Sequence, residues 1–178
     1  MTGVLVVVTA SNMPPAVSII SPTNGTVFAA PATANIRATA SDRDGTVAKA
    51  EFFMNGNSIG SIQTAPFGIV VSNVMEGNYS LAAVATDNGG LSSTSSVVNT
   101  SVVTPTALVV SAPSASSGQI QFNYTASPGL RYVIQNSIDL ASWSPLQTNT
   151  AASNKVVYGE AFDIRGLQFY RVQRLPNP

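Results

Sequence analysis

Three acidic residues lie in two short turn-forming stretches: Asp42 and Asp44 in Ser41-Asp42-Arg43-Asp44-Gly45, and Asp87 in Asp87-Asn88-Gly89-Gly90. If the stretches meet, their carboxylates and the nearby backbone carbonyls offer the oxygen ligands that a hard cation such as Ca²⁺ takes. Asp, Asn and Gly are also the residues tight turns require, and Arg43 can neutralise the cluster without a metal, so both readings stand. The longer loop and terminal Glu of an EF-hand are absent. A second chemistry is suggested by Trp143, the only tryptophan, together with Tyr132, Tyr158, Phe169 and Tyr170. Flat rings of this kind stack on the apolar face of a sugar, and Trp143 and Tyr132 are the candidate pair. The competing reading is that a small domain needs these rings as its core.

Catalytic chemistry has little to work with. The chain contains no His and no Cys, which removes Ser-His-Asp and Cys-His nucleophile systems, thiolate zinc sites and imidazole metal sites. A glycosidase needs two carboxylates facing each other across a cleft. Of the remaining acids, Glu51, Glu76, Asp139, Glu160 and Asp163, only Glu160 and Asp163 are close in sequence, and they flank Phe162 beside an apparent turn. Neither Lys49 nor Lys155 follows a Ser-x-x-Lys pattern. Asn24, Asn78, Asn99 and Asn123 begin N-x-Ser/Thr sequons, which arise by chance in Asn-rich β sequence. The expectation is therefore a non-enzyme without a cofactor, calcium apart.

The elements that must position these residues are strands. Charged residues make up 9% of the 178, and eight basic residues balance eight acidic ones, so no net field recruits nucleic acid or an anionic membrane. From Val17 to Val103, short alternating segments follow one another between turn clusters, a pattern that reads as a β-sandwich. Ile36, Ala38 and Ala40 alternate along one strand, Ala50, Phe52 and Met54 along the next, and Asn55-Gly56 is a strong hairpin signal. Tyr79, Leu81, Ala83 and Ala85 mark a long central strand, and Leu91 to Val103 the last. Ahead of them Val4, Leu5, Val6, Val7 and Val8 form a strand apolar on both faces, cut off by Pro14-Pro15. The run is too short for a membrane helix and lacks the basic start of a signal peptide. Such a strand needs a partner. It is the last strand of a preceding domain, an extra edge strand of the chain's own sandwich, or a donor that pairs with a neighbouring subunit.

The stretches PPAVSIISPTNGTVF, ATASDRDGTVAKAEFFMNGNSIGS, TAPFGIVVSNV and EGNYSLAAVATDNGG resemble the bacterial immunoglobulin-like domains strung in tandem in large secreted and surface proteins. The resemblance implies an extracellular or cell-surface location. It implies that the loops carrying Asp42, Asp44 and Asp87 sit at one end of a sandwich, and that Tyr79 takes the tyrosine-corner role. It also makes VLVVVTASNMPP similar to the final strand of a preceding repeat. After the linker Thr104 to Ala107, the strands Leu108 to Ser111, Gln119 to Thr125, Arg131 to Ser137, Lys155 to Tyr158 and Gln168 to Arg174 follow. The strings GLRYVIQNSIDLASWSPLQTNT and FYRVQ resemble a C-terminal β module of secreted proteins from environmental bacteria.

The expected fold is all-β: an N-terminal donor-like strand (1–13), an immunoglobulin-like β-sandwich (14–104) and a smaller β-sandwich-like domain (105–178). The expected function is a non-catalytic extracellular structural protein, a filament subunit assembling by strand donation from Val4 to Val8. The alternative is an ancillary or carbohydrate-binding module of a larger secreted enzyme or adhesin. Partners are then copies of the chain itself or adjacent domains, with a glycan in the second case, and neither nucleic acid nor membrane insertion.

Overall fold

The computed structural model describes residues 11–161 and 167–178, so the Val4 to Val8 strand, Phe162 and Asp163 lie outside the described residues. The chain forms two compact units. The first comprises Met1–Asn24, Ala34–Val71 and Tyr79–Asn99; the second comprises Gly25–Thr33, Ser72–Asn78 and Thr100–Pro178. The strands up to Val103 are β1 (Ala16–Ser21), β2 (Thr26–Ala29), β3 (Ala32–Ser41), β4 (Val47–Met54), β5 (Asn57–Ile62), β6 (Phe67–Val74), β7 (Gly77–Asp87), β8 (Ser92–Thr94) and β9 (Val98–Val103). They are followed by β10 (Ser114–Ser116), β11 (Gln119–Thr125), β12 (Arg131–Ser137), β13 (Ser144–Thr150), β14 (Lys155–Ala161) and β15 (Phe169–Arg174). Among the described residues no helix is long and apolar enough to cross a membrane.

The first unit is an immunoglobulin-like sandwich. One sheet runs β1-β3-β6; the other contains β5-β4-β7, with β8 added to β7. Along β3, Ala34, Ile36 and Ala38 are buried while Asn35, Arg37 and Thr39 are exposed, the alternation that a half-buried strand imposes. Ala50 and Phe52 of β4 supply the facing layer, paired in register with Ala85 and Ala83 of β7. A large ring opposite a small methyl lets the layer fill without a void. Asn55 and Gly56 join β4 to β5 with φ of 51° and 79°, the doubly left-handed turn that Asn-Gly favours. Asn55 Oδ1 also accepts the Ser80 amide at 2.8 Å.

The expected last strand, Leu91 to Val103, is two strands. Between β8 and β9 the buried Ser95 hydroxyl accepts the Ala83 amide at 3.0 Å, so a side chain replaces a ladder carbonyl and the strand breaks there.

In the second unit β2 lies parallel to β9, and two three-stranded sheets run β10-β11-β14 and β13-β12-β15. Phe122, Tyr124, Tyr132, Ile134, Tyr158 and Val172 form a core that Ala29 of β2 joins. Aromatic rings dominate this core, with Tyr124 and Tyr132 centred 5.6 Å apart and Phe122 and Tyr158 5.2 Å apart, both tilted pairs. Three of these strands escape a reading by hydrophobic alternation, the first being β10, an exposed Ser-Ala-Ser stretch. β13 is a polar, exposed edge strand, and β2 is only four residues long. The segment Leu108 to Ser111 forms a single bridge, Val110 to Tyr124, rather than a strand.

Candidate functional site

In the first unit the expected acidic residues gather at one end of the sandwich, and hydrogen-bond donors of the chain itself occupy most of their oxygens. Asp87 is 2% exposed at the end of β7. Its Oδ1 accepts the amides of Gly89 (2.8 Å) and Leu91 (2.9 Å), and its Oδ2 accepts the side-chain amide of Asn12 (2.9 Å). Asp44 Oδ2 accepts the amide of Met13 at 3.0 Å, and Ser93 Oγ donates to the Pro15 carbonyl. Residues 12–15 are thus tied to the β3–β4 and β7–β8 loops. The side chain of Asn12 lies where a Cβ on Gly89 would be, so any larger residue at that position has to push Asn12 aside.

Asp42 differs from the other two. Its Oδ1 accepts the Asp44 amide at 3.3 Å, while its Oδ2 is buried with no hydrogen-bond partner among the described residues, facing Gly45 as Asn88 Oδ1 does. Asn88 Oδ1 already accepts the Thr46 amide at 2.9 Å. A calcium ion takes six to eight oxygens, and one orphan carboxylate oxygen falls well short of that set. Among the described residues, no three acidic side chains are grouped so as to hold a metal ion. The loops meet as expected, but their acids serve the backbone. Tyr79, the expected corner residue, is half-buried near the start of β7.

In the second unit the rings named for sugar stacking part company. Tyr132 lies in the core at 2% exposure, and its hydroxyl accepts the amide of Ser127 at 2.8 Å. No face of it is open to a sugar, so the expected Trp143 and Tyr132 platform is not formed; the inward alternation of β12 puts Tyr132 between the sheets. Trp143 sits outside that core on the loop between β12 and β13. The Arg171 guanidinium lies 4.2 Å from the centre of its ring, and its indole N–H donates to the Leu140 carbonyl at 3.2 Å. Arg171 Nε in turn donates to Gln135 Oε1 at 2.9 Å, across the β12–β15 pairing.

The loop that carries Trp143 is tightly built. Asp139 Oδ1 accepts the amides of Ser142 (2.8 Å) and Ala141 (2.9 Å) and the Ser137 hydroxyl (2.9 Å). Those bonds, the Ser142 amide foremost, hold the Asp139 carboxyl below its ordinary range. Neither the cation stack nor this loop was legible in the sequence. Asp139 two residues after Ser137 and four before Trp143 is the only trace of it.

Glu160 is clasped by two tyrosines. Tyr158 donates to Oε2 at 2.7 Å and Tyr170 to Oε1 at 2.8 Å. Burial, then the bond to Glu160, pushes both hydroxyls up, Tyr170 to about 12. A carboxylate whose two oxygens accept structural hydroxyls is poorly placed for acid or base work.

Together the facing sheets, the Asn-Gly hairpin and the alternating core define the first unit as an immunoglobulin-like module. Residues 15–83 match, and belong to, the bacterial Ig domain family. No curated protein sequence matches the chain. Among solved structures, the fibronectin(III)-like modules of Clostridium thermocellum CbhA are 34% identical over 49% of this chain and 94% of theirs, with a TM-score of 0.47. Carbohydrate-binding modules from the β-sandwich superfamily align at 15% identity over 94% of this chain and 86% of theirs, with a TM-score of 0.43. Beta-glucuronidase 3 of Bacteroides uniformis aligns at 12% identity over 92% of this chain, which spans 25% of that longer one, with a TM-score of 0.41.

Proposed function

We propose that this chain is a non-catalytic, ancillary module of a larger secreted or surface protein. The observation that carries the reading is the commitment of the carboxylates. Asp44, Asp87, Asp139 and Glu160 each accept hydrogen bonds from the chain's own donors, inside a framework whose first unit is a bacterial Ig domain. Domains of that family are typical of secreted and surface proteins, which supports an extracellular location. The clasp on residues 12–15 fits a module whose segment ahead of β1 is anchored to its own loops. The boundaries 14–104 and 105–178 belong to the same reading.

The filament reading depends on Val4 to Val8, outside the described residues, and nothing in the structure or the comparisons supports it. Light scattering of the purified chain and turnover assays on polysaccharides test the module. A monomer at high concentration with no turnover is expected. Filaments in electron micrographs, or hydrolysis abolished by Glu160→Gln, would sink it.

A further inference from the structure

The outer face of the β13-β12-β15 sheet holds an unusual arrangement of charge. Residues 105–178 contain two described carboxylates, and neither pairs with an arginine: Asp139 is held by loop amides and Glu160 by Tyr158 and Tyr170. The one ion pair among the described residues is Lys49 with Glu51, in the other unit. Among the described residues, Arg171 is therefore a cation without an anion. Its Nε–H is engaged by Gln135, its face lies on Trp143, and the Nη hydrogens at its outer edge have no partner among the described residues.

A guanidinium stacked on an indole is held flat, and its free edge presents two parallel donors at the spacing of a carboxylate. Trp143 is not needed to fill the interior, because Phe122, Tyr124, Tyr132 and Tyr158 already do so. By register, Arg131 shares the outer face with Gln135, about 13 Å away along β12. Thr148 and Gln173 flank that line on the neighbouring strands. The buried Val133 lies between Arg131 and Gln135 on this face, so one held cation, Arg171, and one exposed cation, Arg131, are separated by an apolar spot flanked by amides and a hydroxyl, a pattern that suits a polymer of sugar rings bearing carboxylates and hydroxyls.

We propose that this face binds a carboxylated polysaccharide, Arg171 taking a uronate carboxylate end-on while Trp143 acts as a positioning residue that keeps the guanidinium flat. The inference deepens the module reading by naming the ligand class of its second unit. An acidic peptide carries the same carboxylate but lacks the ring hydroxyls that Gln135, Thr148 and Gln173 would meet.

The test is a titration of the full chain, followed by Trp143 fluorescence and calorimetry, with oligogalacturonate and alginate oligomers, fully methyl-esterified oligogalacturonate, and poly-glutamate. Saturable binding of a uronate oligomer is expected, at least tenfold tighter than the methyl ester or poly-glutamate. Arg171→Met should weaken it at least tenfold, and Arg171→Lys, which keeps the charge but loses the fork, should also weaken it. The ester comparison needs no variant, so it decides the matter even if a substitution disturbs the fold. Equal binding of acid and ester, poly-glutamate binding as tightly as the uronates, unchanged binding by Arg171→Met, or no binding of either uronate oligomer would each overturn the proposal. The module reading is judged separately by monomer state and absence of turnover: a monomer without turnover that binds no uronate retains the module and loses the ligand.

Discussion

Replacing Asp87 by alanine removes three acceptor contacts at once, from Gly89, Leu91 and Asn12. Hydrogen bonds to a charged group contribute about 1.5–3 kcal/mol each. Gly89 and Leu91 are exposed and water can serve their amides after the change, so the lower end applies, reduced again, to about 3 kcal/mol in total. Asp87→Asn leaves one oxygen for the two amides, and Asn12 can turn its own carbonyl toward the new amide, so its cost is about 1 kcal/mol. Urea unfolding followed by tyrosine fluorescence reads both. With a slope of roughly 1.5 kcal/mol per molar, the alanine variant loses about 2 M in midpoint and the asparagine variant under 1 M. Both scans are repeated with excess EDTA and with calcium. Because the chain's own donors occupy Asp44 Oδ2 and both Asp87 oxygens, no metal dependence is expected in the wild type. An alanine variant within 0.5 kcal/mol of wild type, or a wild-type midpoint that falls on chelation, would refute the reasoning.

Alkaline titration should destabilise the second unit between pH 10 and about 12. The raised hydroxyls of Tyr158 and Tyr170 contribute stability that is fully present below the ordinary tyrosine value and is lost as pH rises through the folded one; far-UV circular dichroism against pH should show Tyr170→Phe moving that transition upward. Asp139 has the opposite sign: its lowered carboxyl supports the loop above the ordinary carboxylate range and loses hold as pH falls through the folded value. Trp143 emission should therefore shift to the red in acid, and at neutral pH in Asp139→Ala. Gly89→Ala should displace the Asn12 side chain and destabilise the first unit by about 1–2 kcal/mol, read as a lower thermal midpoint. Leu81→Ala in the buried face of β7 should cost about 2–5 kcal/mol by the same measurement, with no metal or ligand dependence.

Period-two alternation made the sandwich readable in advance: Ile36 and Ala38, Ala50 and Phe52, and Leu81, Ala83 and Ala85 point inward because a strand has two faces and only one is buried. Asn55-Gly56 declared its turn for the same local reason, since few other residues accept two left-handed positions. The absence of His and Cys, visible in composition, excluded whole classes of catalysis before any contact was known. What alternation could not convey is anything decided by which chains meet side by side. β13 is held by hydrogen bonds along its edge rather than by burial, so its polar residues carry no periodic signal. The fate of Asp87 depended on Asn12, a residue 75 positions away, and that of Trp143 on Arg171 from a strand that pairs with β12 from the opposite side to β13. Side-chain chemistry was set by the sequence; whether a carboxylate would face a cation, an amide or a tyrosine was settled only when folding chose its neighbours.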